Sequence, residues 1–94
     1  MTLRERLEDF AGALTSATNG PDEYPMPEYV NLTSNMADLR ELWAEIKPQL
    51  RRDLDKVQFI DQKLAEIYAR FAAGDRAGRK AVMAIYNLSV ETLR

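Results

Sequence analysis

Apolar residues near the start of the chain fall at Leu3, Leu7, Phe10, Leu14 and Ala17. Steps of four and three residues place them on one face of an α-helix. Thr2 and Glu5 have the T-x-x-E spacing of a capping box, in which each side chain satisfies an otherwise unpaired backbone N–H. Asn19-Gly20-Pro21 ends the pattern, because Asn or Gly accepts a left-handed cap and proline cannot continue the helix. The first helix is therefore predicted over about residues 3–18.

Residues 20–32 break both helical and strand patterns. Three prolines, Pro21, Pro25 and Pro27, exclude helix and central strand. The Tyr24-Pro25-Met26-Pro27 stretch predicts an extended, polyproline-like segment. A loop this long in a small chain is usually functional or packed as a strap.

A second helix is predicted over about residues 35–73, capped near Thr33-Ser34-Asn35. In heptad terms Met36, Trp43, Leu50, Val57, Leu64 and Phe71 occupy a, and Leu39, Ile46, Ile60 and Ile67 occupy d. Asp53 is the one breach, and the expectation is that it turns outward while Leu54 takes its core position. Pro48 lies at f, opposite the seam, and disfavours helix at Lys47. The unbroken register favours one helix kinked near 48 over two separate helices. Gly74 suits a left-handed helix end and Asp75 a cap. The tight turn predicts an antiparallel hairpin with a third helix over about residues 76–93. The fold class that follows is all-α: a single domain over residues 1–94, a three-helix bundle, or four if the second helix breaks at Pro48.

Self-association follows from length. A compact chain of this size has a radius of gyration of about 12 Å, whereas a continuous second helix would run about 58 Å. Two short helices would leave part of its seam and the back of the third helix wet. A two-fold dimer through Leu50, Val57, Leu64, Val82, Ile85 and Tyr86 is the expected remedy, and a break at Pro48 giving a four-helix monomer is the other.

Composition narrows the chemistry. Among 94 residues there is neither cysteine nor histidine, which removes disulfide frameworks, thiolate zinc sites and the commonest general base. No cofactor is expected. Neither a membrane span nor a secretory leader is apparent, so the expected location is cytoplasmic. Nine arginines against four lysines, with abundant alanine, suggest a GC-rich bacterial or phage genome. Charge is uneven: residues 1–46 carry three bases against nine acids, and residues 47–94 ten bases against six acids. Such a chain can fold its acidic half on its basic half, or offer either half to a partner.

Gly74 to Lys80 superficially resembles a phosphate loop, but its lysine is one place too far from the second glycine, Gly78, and no strand precedes it. Acid pairs such as Glu41/Glu45 and Asp53/Asp61 read as solvated helix faces. The basic residues Arg51, Arg52, Arg76, Arg79 and Lys80 are candidates for contact with an anion or an acidic partner, since cations at a helix start oppose its dipole. Nucleic acid is the less favoured partner, because Asp53, Asp55 and Asp61 are interleaved with them. Tyr24, Met26, Tyr29 and Trp43 are the candidate protein-binding residues: a preformed aromatic-proline strip and a possible groove anchor. For the tyrosines a strap over the bundle, and for Trp43 the core, are the competing readings. The expected function is a non-enzymatic protein–protein interaction module, such as a small adaptor, chaperone-like subunit or phage-type inhibitor. The alternative is a nucleic-acid-associated regulatory protein.

Overall fold

The computed structural model describes residues 2–94, and these form an all-α bundle of four helices: α1 (Leu3–Ala17), α2 (Leu32–Ile46), α3 (Leu54–Ala72) and α4 (Gly78–Tyr86). Two 3₁₀ turns, Lys47–Gln49 and Val90–Thr92, complete it. α1 packs on α2, on α4 and on the last 3₁₀ turn, while α3 packs on α4.

The start of α1 is capped as its sequence predicts. The Thr2 hydroxyl accepts from the Glu5 N–H at 3.2 Å, and the Glu5 carboxylate accepts in return from the Thr2 backbone. α2 begins earlier than predicted. Asn31 caps it in a second capping box with Ser34, which leaves Asn35 inside the helix and almost wholly buried.

The continuous second helix expected from the heptads does not form. Pro48 opens a 3₁₀ turn, Leu50 is extended, and α3 starts afresh at Leu54. The break is held by the far end of the chain. The Arg94 carbonyl accepts from the N–H groups of Arg52 and Asp53 at 2.8 and 2.9 Å, and the Arg94 N–H donates to the Asp53 carboxylate. Seven-residue spacing survives because the apolar residues flanking the break serve two different helices. Met36, Leu39, Trp43 and Ile46 form the buried stripe of α2, and Ile60, Leu64, Ile67 and Phe71 that of α3. Leu50 enters the core from the linker, whereas Leu54 is 59% exposed and does not replace Asp53.

The α3–α4 hairpin closes where Gly74 takes a positive φ of 73°. The Asp75 carboxylate then accepts from the Ala77 N–H and pairs with Arg70 at 2.9 Å. Both interactions hold its carboxyl below the usual carboxylate range, the backbone N–H most strongly. Two glycines admit the Phe71 ring: a Cβ at Gly78 would meet it at 2.7 Å, and one at Gly20 would strike its other side. The resemblance of Gly74 to Lys80 to a phosphate loop thus comes from a turn and a packing requirement.

α4 is half the length expected. Val90 lies five residues beyond Ile85, about 140° away around a continued helix. Ser89 instead adopts a left-handed φ of 54°, and the turn brings Val90 and Leu93 into the core. Phe10 stacks on Trp43 with ring centroids 5.6 Å apart, joining α1 to α2 at the centre of that core. The radius of gyration is 12.6 Å.

Candidate functional site

The segment between α1 and α2 is a folded loop tied at both ends. At its start Glu23 donates its N–H to the Asn19 carbonyl. Arg76 forms a two-pronged pair with Asp22 at 3.1 and 3.2 Å and also reaches Glu23. Arg79 donates to the carbonyls of Gly20 and Asn19 and to the Glu23 carboxylate. The hydrogen bond from Arg76 is the main reason the Asp22 carboxyl lies below its ordinary range. Such pairs fix a planar geometry well, although their exposure limits what each adds to stability.

In the middle of the loop the Tyr24 hydroxyl donates to the Asn35 amide oxygen at 2.7 Å, and the Asn35 amide donates to the Ala13 carbonyl at 3.0 Å. This relay links loop, α2 and α1. Burial pushes the Tyr24 phenol up to about 12, with Arg79 opposing. Beyond it the chain does not run as an extended polyproline strip. The N–H groups of Tyr29 and Val30 both donate to the Met26 carbonyl at 3.0 Å, closing a turn. Asn31 then donates to the Pro27 carbonyl while capping α2.

The turn exposes what the ties do not use. Tyr29 is 74% exposed, Met26 54% and Val30 38%. Of the four residues considered for protein binding, Met26 and Tyr29 therefore stand on the surface, whereas Tyr24 is half-buried as a strap. Trp43 is not an accessible anchor. It is buried against Phe10, and its indole N–H donates to the Asp61 carboxylate at 2.7 Å. Lys47 pairs with the same carboxylate at 2.7 Å. Burial raises the Asp61 carboxyl, but the Lys47 and Trp43 bonds outweigh it and hold the group below its ordinary value.

The residues expected to form a self-association seam are placed otherwise. Leu50, Leu64, Val82 and Ile85 lie inside this chain's own core, because the break at Pro48 folds α3 back and supplies the missing cover. Val57 is half-buried, and only Tyr86, with Met83 beside it, shows a large apolar surface. The basic residues divide as well. Arg76 and Arg79, the cations that oppose the helix dipole, find their acids in the chain's own loop. Arg51 donates to the Pro48 carbonyl at 2.6 Å. Arg51, Arg52 and Lys80 are exposed and form no ion pair among the described residues.

Three features escaped the sequence. Asn35 reads as a cap and proves to be the buried centre of the relay. Val30 gave no signal beyond being apolar in a loop. Asp22 and Glu23 were legible in principle, as acids next to a proline loop in a chain with unmatched cations at residues 76–80.

Among the described residues no group of acids could hold a metal ion, and no helix is long and apolar enough to cross a membrane. No family model, no curated protein and no solved structure matches the chain.

Proposed function

We propose that the chain is a non-enzymatic protein–protein interaction module whose contact surface is the tip of the α1–α2 loop, centred on Met26, Tyr29 and Val30. The observation that carries this reading is the pairing of a tethered base with a bare apolar tip. A loop held by Arg76, Arg79 and the Tyr24–Asn35 relay loses little freedom on binding, so contact energy is not spent on ordering it. Large side chains left exposed on such a rigid frame resemble the aromatic and methionine anchors of protein interfaces. The sequence offers neither histidine nor cysteine for an enzymatic alternative.

The test is affinity capture from the native host with the wild-type chain and a Met26→Ala/Tyr29→Ala variant side by side. The variant should keep its melting temperature, because both side chains are exposed, and lose a specific captured protein. Equal capture by the two would remove the loop tip from the interface.

A further inference from the structure

A groove of about 470 Å³ runs between α1 and α2 and reaches the loop tip at Val30. Its floor on α1 is small: Gly12, Ala13 and Ser16. A Cβ built at Gly12 would meet nothing within 4 Å. Glycine weakens a helix interior relative to alanine, and nothing in this chain's own packing requires it there. The open space is available to something outside the chain.

The walls are acidic. Asp9, Asp38, Glu41 and Glu45 line the groove together with a single base, Arg6. Arg6 is engaged by Glu45 at 2.6 Å and lies 4.0 Å from Asp9. Asp38 and Glu41 are exposed on α2 and have no ion pair among the described residues. The acidic half of the chain is therefore only partly neutralised: Asp22 and Glu23 of the loop meet Arg76 and Arg79, Glu45 and Asp9 share Arg6, and Asp38 and Glu41 stay open.

We infer that the groove and the loop tip together receive a basic amphipathic helix of another protein. This rests on the loop-tip reading above and names its partner's chemistry. Small floor residues let a helix axis approach closely, and helix pairs pack at about 8–10 Å. The lining runs from Arg6 to Ser16 on α1 and from Asn35 to Glu45 on α2, so the trough is about 15 Å long, close to three helical turns. The incoming apolar seam lies over Gly12 and Ala13 and against Val30 and Met26, and its lysines and arginines meet Asp38 and Glu41. A second copy is a poorer occupant. The large exposed apolar side chains on its helices are Leu54 at the start of α3 and Met83 and Tyr86 on α4. The α3 cations Lys56, Lys63 and Arg70 pair with acids of their own chain, and α4 bears Lys80 as its sole exposed cation outside the loop pairs.

The probe is a fluorescein-labelled peptide of about 18 residues, long enough to fill the trough, with a Leu/Ala seam flanked by lysines. A counterpart carries Glu in place of Lys. Fluorescence anisotropy with the full chain should show binding of the lysine peptide alone, weakening steeply with salt. Asp38→Lys/Glu41→Lys should weaken it about 10-fold or more at low salt, since two attractions become repulsions. Gly12→Leu should weaken it similarly with little loss of melting temperature, because a Cβ at this exposed position meets nothing within 4 Å.

No binding of the lysine peptide up to about 100 µM overturns the proposal, as does binding indifferent to both the charge reversal and Gly12→Leu. If only Met26→Ala/Tyr29→Ala weakens binding, the loop-tip reading stands and the basic helix is wrong. If only the groove variants matter, the loop tip is outside the interface. A change in the chain's own mass by light scattering in Asp38→Lys/Glu41→Lys, without peptide, makes the occupant a second copy and overturns the proposal.

Discussion

Replacing Tyr24 with Phe removes one hydroxyl and leaves the rest of the ring in place. The consequence falls on Asn35, which is 1% exposed and whose amide oxygen accepts from that hydroxyl at 2.7 Å. Water has little access to replace the lost donor. A buried acceptor stripped of its partner costs about 1–3 kcal/mol. For a domain of this size each kcal/mol lowers the melting temperature by roughly 4–8 °C. Urea denaturation should therefore show a lower midpoint at unchanged slope. A double-mutant cycle with Asn35→Leu separates the pair from its surroundings, and a coupling of about 0.5–3 kcal/mol is expected for groups in direct contact.

The same pair has a signature at high pH. Burial raises the Tyr24 phenol to about 12, above the value near 10 of an unfolded tyrosine. Folding thus favours the neutral phenol. Its contribution to stability is complete below about pH 10 and is lost as pH rises through 12. The gap between wild type and Tyr24→Phe should accordingly narrow over that window. Native-state hydrogen exchange gives a local check, since the Val30 N–H should exchange faster once its loop is untied. An unchanged urea midpoint together with additive single variants would refute the view that the relay holds the loop.

Gly12→Ala should raise stability by up to about 1 kcal/mol, because its Cβ enters open space, whereas Gly20→Ala should sharply lower the urea midpoint by striking Phe71; the reverse order would contradict the packing around that ring. Asp61, held low by Lys47 and Trp43 against the effect of burial, supports folding above the unfolded carboxylate value of about 3.9 and loses that support as pH falls through its lower folded value. Trp43 emission should shift in that acid range in wild type and not in Asp61→Asn, and identical acid titrations would disprove the coupling. Light scattering at micromolar concentration should return the mass of one chain, 10.8 kDa, since the core residues assigned to a dimer seam are already covered. A stable mass of two chains would show that the exposed face around Met83 and Tyr86 is an interface.

Much of the bundle was legible because it rests on local rules. The Thr2–Glu5 box, the α1 stripe and the Gly74 turn are each set by residues a few positions apart, and each appears where those residues place it. The helix break was hidden by arithmetic. Residues 47–53 preserve a seven-residue interval while leaving helical geometry, so the spacing of Trp43, Leu50 and Val57 carries no record of the break. What decides it is the pairing of residues 52 and 53 with Arg94, a contact across the whole sequence. The end of α4 is hidden for a similar reason, since only the burial of Val90 and Leu93 requires Ser89 to turn. For the site, exposure was the missing quantity. Tyr24 and Tyr29 look equivalent in sequence, yet one donates to a buried amide and the other stands in water.

That difference divides the loop into two kinds of residue with opposite mutational signatures. Asp22, Glu23, Tyr24 and Asn31 point their polar groups inward, toward Arg76, Arg79, Asn35 and the start of α2. Changes there act on stability first and on any partner only through the geometry of the tip. Met26, Tyr29 and Val30 make no side-chain hydrogen bond among the described residues, and their exposure means that truncation removes little packing. Were the loop only a strap, selection for cover would place its apolar side chains inward, as Val90 and Leu93 are at the other end of the bundle. A strap whose Tyr29 faces water, set beside a groove in which Asp38 and Glu41 lack ion-pair partners among the described residues, has a surface its own fold does not use.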